Sequence, residues 1–361
     1  MTLEEIRKRI NTIDFEILKL LNSRMEFALR TKKFKSSVTD LKREHEVIEY
    51  IQRHSQGLIE PEFCRMLFTE IIGESKRLQK EEVSLMGFHG EHGTFSEVAA
   101  RSFNPNLVYI SCADIREVIH GVESGLLHFG IVPVESTLGG TSDEVNEYLV
   151  ETGLAVVGEL RLPIRYSLLT LSETDPEELR VVYSHRQVLS QCQSFLSERK
   201  LEGRPYYDMA AAAKMLVQQR PEATGAISSD FSADFYHLKI VKQGVEDKPG
   251  NFTRFLVLAR KDGYEPGDKC SLVFVAEHKA GALFKILQEF ADAGINLTRI
   301  ESMPNRQDPG NYFFFLDFDG SNQDPHVIEV LDRVREKTVM YRFLGCYKSA
   351  NGWADTNRST A

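Results

Sequence analysis

Residues 251–255, Asn-Phe-Thr-Arg-Phe, set a hydroxyl beside a guanidinium, with an aromatic on each side. They follow the turn-forming run Glu246–Gly250 and open the apolar stretch Phe255–Ala259, whose length and composition predict a buried strand. Thr253 and Arg254 are expected together at the mouth of that strand, where ligands bind in α/β sheets. A threonine hydroxyl donates a hydrogen bond but is a poor acid; a guanidinium presents a planar fork that matches a carboxylate. The chemistry this pair suggests is capture of a small organic acid.

A second polar set interrupts an apolar stripe at the start of the chain. Ile6, Ile10, Ile13, Ile17, Leu20, Leu21, Phe27 and Ala28 recur in steps of three and four, predicting one long amphipathic helix over about 3–35. Arg24 falls where the stripe expects an aliphatic residue. Lys35, eleven positions on, lies about 20° from it around such a helix, and Arg7 about 100° away. Asp40, Arg43 and Glu44 share a face of a predicted second helix, and Ser75 and Gln79 a face of a third at about 62–80. A helix roughly 45 Å long cannot bury its stripe within three helices. A second, intertwined copy is expected to cover it and to bring Arg7 to the same site.

These residues need elements to hold them. From residue 83 strands and helices alternate, which predicts βαβ units. A Gly-rich turn, 89–96, leads into a helix and makes Thr94 a candidate cap or anion donor. The strand 129–134 is expected to end in the polar turn Glu135-Ser136-Thr137, and the strand 181–185 in Ser184-His185, with Gln191 on the helix that follows. The acidic run 172–178 and the late return of the chain to residues 251–259 predict two lobes around a cleft. After a turn-rich linker at 262–268, a βαββαβ order over 271–347 reads as ferredoxin-like, followed by a tail expected to be disordered. The expected domains are thus 1–82, 83–262 and 268–348, with the tail at 349–361.

Composition narrows the function classes. At 361 residues the chain is long enough for two or three domains, and 27% charged with 42% hydrophobic residues is ordinary for a globular protein. A net charge of −9 argues against general nucleic-acid binding. The five cysteines are scattered with no C-x-x-C pair, as expected for reduced thiols and not for a disulfide framework or zinc site. No apolar run approaches the roughly 20 residues of a membrane span, and the chain opens directly into a charged helix. A cytoplasmic location is expected, with no membrane partner. No P-loop or dinucleotide fingerprint appears.

The helical stretch resembles the all-α chorismate mutase domain. That resemblance maps a substrate-binding set onto Arg7, Arg24, Lys35, Asp40, Arg43, Glu44, Ser75 and Gln79, with Lys35 and Gln79 addressing the breaking ether oxygen. Chorismate is a dianion that rearranges without a nucleophile or base, so holding the folded conformer and stabilising developing charge is the help a protein can give. Residues 83–262 resemble prephenate dehydratase, through Gly93-Thr94-Phe95-Ser96, Val132–Glu135, Tyr183-Ser184-His185 with Gln191-Cys192, and Asn251–Phe255. The likeness implies Thr253, Ser184 and Gln191 as active residues. Thr94, Glu135, Ser136, Thr137, Arg254 and Phe255 are implied substrate contacts, in a cleft similar to that of periplasmic binding proteins. Where that family has Glu-Asn-Ser this chain has Glu135-Ser136-Thr137, and Glu91 and Arg186 replace prolines.

The C-terminal stretch resembles an ACT domain, with Gly281-Ala282-Leu283 opening a helix and Glu301-Ser302 after the second strand, and Met303 where an arginine is usual. Together the resemblances imply a bifunctional chorismate mutase–prephenate dehydratase that makes phenylpyruvate and is inhibited by L-phenylalanine. They imply a homodimer, with further association of dimers left open, and no cofactor or metal. Ser136 leaves open a non-aromatising prephenate decarboxylase, and a non-catalytic aromatic amino-acid sensor is the alternative of a different class.

Overall fold

The structure, a computed structural model, describes residues 2–350 apart from 36, 56, 261–266 and 307. Most of the expected linker at 262–268 and all of 351–361 lie outside the described residues. The chain divides into two compact units, one ending at Leu85 and the other starting at Met86.

The first unit is helical: α1 (Leu3–Thr31), α2 (Leu41–His54) and α3 (Pro61–Lys80). The long first helix stops short of the expected end. After Thr31 it tightens into a 3₁₀ turn, Lys32–Phe34, and Lys35 is extended (φ −118°, ψ 136°). The last buried residue of α1 is Leu29, and Phe34 is exposed, so nothing rewards further turns of helix. Lys35 therefore does not share the Arg24 line. Pro61 occupies the first turn of α3, where its missing N–H costs nothing.

In the second unit, lobe A is built from β1 (Leu85–His89), α4 (Phe95–Phe103), β2 (Val108–Cys112), α5 (Ile115–Glu123), β3 (Phe129–Ser136), β4 (Gly140–Thr141), α6 (Asp143–Glu151) and β5 (Ala155–Pro163). Lobe B follows with β6 (Ser167–Thr170), β7 (Val181–His185), α7 (Arg186–Ser190), α8 (Gln193–Glu198), β8 (Glu202–Tyr206), α9 (Met209–Gln219), β9 (Thr224–Ser228), α10 (Asp230–Tyr236) and β10 (Lys239–Gln243). The chain then returns to lobe A as β11 (Phe252–Ala259), antiparallel between β3 and β5 in the order β2-β1-β3-β11-β5. Lobe B is a separate sheet, β10-β6-β9-β7-β8. Elements β2, β4, α6, β8 and α10 were not anticipated.

The third sheet comprises β12 (Lys269–Ala276), β13 (Leu297–Pro304), β14 (Tyr312–Asp319) and β15 (Thr338–Tyr347), ordered β13-β14-β12-β15 and wholly antiparallel. One face is covered by α11 (Ala282–Asp292) and α12 (Pro325–Glu336) around Phe274, Phe290, Phe318 and Val330. This is the expected ferredoxin-like sandwich. Its β15 lies against β5 so closely that a Cβ at Gly345 would fall 2.1 Å from the Val156 carbonyl oxygen. Arg342 donates to the carbonyls of Leu149 and Val150 at the end of α6 and of Leu154 just before β5. Among the described residues no helix is long and apolar enough to cross a membrane.

Candidate functional site

In the helical unit, α1 and α3 bring together three of the eight expected residues. Arg24 Nη1 donates to Ser75 Oγ at 2.5 Å, and Ser75 in turn donates to the Ile71 carbonyl at 2.9 Å. Gln79 is 3% exposed and donates from Nε2 to the Ala28 carbonyl and to Thr31 Oγ1. Both amide hydrogens are thus spent, so Gln79 is not poised as the donor to an ether oxygen. Asp40 is the N-cap of α2, accepting from Arg43 N at 3.0 Å, while the Arg43 side chain pairs with Glu46. Glu44 binds Lys76 at 3.0 Å. Arg7, Lys35, Asp40 and Arg43 remain exposed and apart from the Arg24 cluster within one chain.

In lobe A, β11 and β3 place Thr253 directly opposite Ser136, so their side chains share one face of the sheet. Asn251, two residues before Thr253, is buried, with Oδ1 3.5 Å from Ser136 Oγ. Ser136 Oγ also accepts from Gly139 N at 3.3 Å. Arg254 points to the other face, because neighbours in a strand alternate. It does not join Thr253 at the mouth; its guanidinium is buried against Glu159, Asp317 and Tyr347. Glu135, opposite Arg254, leaves with it, exposed. Phe255 is 2% exposed and packs in the lobe A core, so it is no substrate contact. Thr137 uses its hydroxyl and amide to bracket Phe252, donating to its carbonyl and accepting from its N–H, and is likewise occupied by the backbone.

Thr94 sits at the N-cap of α4 without capping it; Glu97 accepts from Gly93 N instead. Thr94 Oγ1 is buried with no hydrogen-bond partner among the described residues. Its neighbour Phe95 meets Tyr166 edge to face, ring centroids 6.0 Å apart.

Lobe B contributes Ser184 and Gln191. Ser184 is fully buried at the end of β7, with Oγ donating to the Ile227 carbonyl at 2.6 Å. Gln191 is not within a helix: it caps α7 (φ −90°, ψ −3°), in the break before α8. Tyr166, which sequence reasoning missed, has its hydroxyl 3.1 Å from Gln191 Oε1. Burial pushes the Tyr166 phenol well up, helped by the nearby Cys192 and Glu246, so it stays a neutral donor. Donation from Tyr166 leaves the Gln191 NH2 group for another partner. The Gln191 carbonyl accepts from Asp247 N at 2.7 Å, on the segment that carries the chain on to Thr253.

Contacts between the lobes close around this region. Ser229 and Ser232 both donate to the Gly93 carbonyl at 2.8 Å, Tyr236 donates to the His92 carbonyl, and Lys214 pairs with Glu91. A Cβ on Gly139 would lie 2.8 Å from Gln187 Nε2, so the turn after β3 abuts α7. The site offers hydroxyls and amides from Thr253, Ser136, Thr94, Asn251, Tyr166 and Gln191. Such a set can orient an acid and hydrogen-bond a departing oxygen.

In the third sandwich, Gly281 starts α11 at φ +80°, a conformation that favours glycine. Leu283 lines a hollow of about 280 Å³ with Glu277, His278, Tyr312 and Phe314. Ala282 opens α11 beside it. Glu301 and Ser302 lie inside β13, not in a loop after it, because pairing with β14 continues to Pro304. Neither lines the hollow within one chain, and Glu301 is held by Arg299 at 3.0 Å.

Comparison with known proteins agrees with this division. The chorismate mutase type II family matches residues 6–80, the prephenate dehydratase family residues 86–263 and the ACT domain family residues 271–336. A bifunctional chorismate mutase/prephenate dehydratase of Aquifex aeolicus is 35% identical over 359 residues, covering 96% of this chain and 98% of that protein. The prephenate dehydratase of Arthrobacter aurescens, solved in complex with L-Phe, is 28% identical at a TM-score of 0.68, covering 74% of this chain and 90% of its own. GqqA, described as a quorum quenching acylase, is 27% identical at a TM-score of 0.68 over 73% of this chain and 97% of its own. Three domains in one order, matched end to end by a single relative, place this chain in the bifunctional chorismate mutase/prephenate dehydratase family.

Proposed function

We propose that the helical unit converts chorismate to prephenate and that the cleft of lobes A and B converts prephenate to phenylpyruvate, with L-phenylalanine acting at the ACT sandwich. The observation that carries the second step is the pairing of Thr253 with Ser136 on one face of β11 and β3. Thr253 donates to the leaving ring hydroxyl as carbon dioxide departs, and aromatisation drives the loss of both. Gln191, held by Tyr166, and the buried Ser184 orient the substrate. Thr94 and Asn251 supply further hydrogen bonds, since Arg254 is spent elsewhere.

In the mutase site Arg24, braced by Ser75, takes one carboxylate, and Arg7 of a second copy takes the other. Lys35 reaches the ether oxygen from the extended segment after α1. Asp40, Arg43 and Glu44 line α2 beside them, and Gln79 keeps the α1 backbone in register with α3. The protein works as a homodimer in the cytoplasm. The ACT hollow, completed by Gly281–Leu283 of one chain and Glu301-Ser302 of another, holds the amino acid.

Chorismate added to pure protein tests the reading, with both products followed. Thr253→Ala should stop phenylpyruvate while prephenate accumulates; Arg24→Ala should stop both products from chorismate, leaving dehydration of supplied prephenate intact. A product that keeps its ring hydroxyl would overturn the dehydration step.

A further inference from the structure

Arg254 is 4% exposed, and its guanidinium touches both halves of the second unit. From lobe A, Glu159 on β5 accepts from Nε at 2.7 Å. From the ACT sheet, Asp317 on β14 accepts from Nη1 at 2.6 Å, and the Tyr347 hydroxyl on β15 accepts from Nη2 at 3.1 Å. Lys269 of β12 closes on the same Glu159 at 3.0 and 3.1 Å, and Ser271 donates to Asp317 at 2.5 Å. Two carboxylates and two cations balance. Burial pushes the Asp317 carboxyl up, but Arg254 and Arg299 outweigh it and hold it below the usual carboxylate range.

A buried ionic cluster contributes little net stability, because desolvation offsets the attraction and apolar residues of like volume often serve as well. It does impose one geometry, and geometry is in demand here. The ladder between β11 and β3 slips beside the catalytic pair: Arg254 faces Glu135 but Phe255 faces Pro133, leaving Val134 as the extra residue. Pro133 has no N–H to give, and a bulge re-aims the side chains next to it. On the β3 side the ladder is therefore irregular next to Thr253, which is left to its in-register pairing with Leu162 of β5 on the other side.

We infer that Arg254 is a positioning residue for Thr253, and that its anchor is supplied by the ACT sheet through Asp317 and Tyr347. The inference rests on Thr253 as the donor in dehydration. It makes the third sandwich part of the dehydratase machinery even without effector. Asp317 is also the cross-strand partner of Arg299, which binds Glu301 on β13 and Asn146 on α6. One carboxylate thus faces both the strand of the catalytic hydroxyl and the strand carrying the effector candidates.

The test uses the full chain. Asp317→Asn should lower kcat for dehydration of supplied prephenate about 10- to 100-fold, as expected for a misplaced catalytic group, with KM changed less than about threefold. Mutase activity of the same sample should stay within about twofold. The double variant Arg254→Met/Asp317→Leu removes both charges together; it should melt close to the unsubstituted protein yet stay as slow as Asp317→Asn. A folded variant of either kind that dehydrates prephenate at the original kcat overturns the inference. If the unsubstituted protein makes no phenylpyruvate, the assigned reaction itself fails, and this positioning role with it.

Discussion

A single phenol decides what Gln191 can offer. An amide has two ends, and which one faces the cleft depends on what the other end is tied to. Tyr166 is buried, its phenol is pushed up by that burial, and its hydroxyl lies 3.1 Å from Gln191 Oε1. It therefore remains a donor throughout the working pH range and leaves the Gln191 NH2 for another partner, the substrate in the proposed cleft. Replacing Tyr166 by Phe removes the tie and keeps the ring that meets Phe95. One hydrogen bond contributes about 1 kcal/mol, so kcat for dehydration should fall about fivefold. Its pH profile should keep its shape, because the lost group does not titrate there; steady-state rates across pH check both points. An unchanged kcat would mean that Gln191 is held by the α7 break alone.

Elements carry the next level of control, and α4 shows how. Its N-terminus lacks a side-chain cap from Thr94, and Glu97 serves instead, accepting from Gly93 N, from Arg101 and from a His92 nitrogen at 3.1 Å. Burial raises the Glu97 carboxyl, but His92, Gly93 and Arg101 together hold it below the usual range. A depressed carboxyl contributes stability that is complete above its unfolded pKa, about 4.3, and lost as pH falls through the folded value. Glu97→Gln should therefore cost about 1–3 kcal/mol at neutral pH, and the gap should close only below about pH 4; denaturant melts at several pH values measure it.

Much of this layout was legible in sequence, since strands such as Val181–His185 and the whole βαββαβ order follow plain alternation. What was not legible has physical causes. The edge strand β8, Glu-Gly-Arg-Pro-Tyr, lacks β-branched residues, and α6 shows a short stripe around a buried Asn146. The break at Gln191-Cys192 is held by Asp247, 55 positions away, whose carboxylate accepts from Gln193 N and Ser194 N. Tertiary contacts of that kind leave no local signal. Arg254 is different: strand alternation alone already places it on the face opposite Thr253.

At the scale of the molecule, the helical unit leaves most of the apolar side of α1 exposed. Within residues 1–80, the buried hydrophobic residues among those described are Leu29, Ile71 and Ile72. Meanwhile Ile6, Ile10, Ile13, Ile17 and Leu20 are 43–70% exposed along one side of α1. Fully burying an aliphatic side chain contributes roughly 1.5–3 kcal/mol, so covering this half-exposed stripe in two copies contributes an amount of the same order as the roughly 4–15 kcal/mol that association costs. In the proposed site Arg24 is joined by Arg7 of another copy, so there the occupant that covers the stripe also supplies that cation. A second copy does both; an unrelated partner does only the first. A carboxylate set into that stripe would be buried without a partner, at a cost of several kcal/mol. Ile13→Glu/Ile17→Glu should thus abolish chorismate rearrangement by more than about 100-fold while supplied prephenate is dehydrated as before, because the cleft and its ACT anchor lie wholly in the other compact unit. Rearrangement that survives at the original rate would show that Arg24 needs no partner chain. Mixing an Arg7→Ala chain with an Arg24→Ala chain, both with the stripe intact, should by contrast restore part of the lost rearrangement, since only a shared site lets two defective copies complement each other.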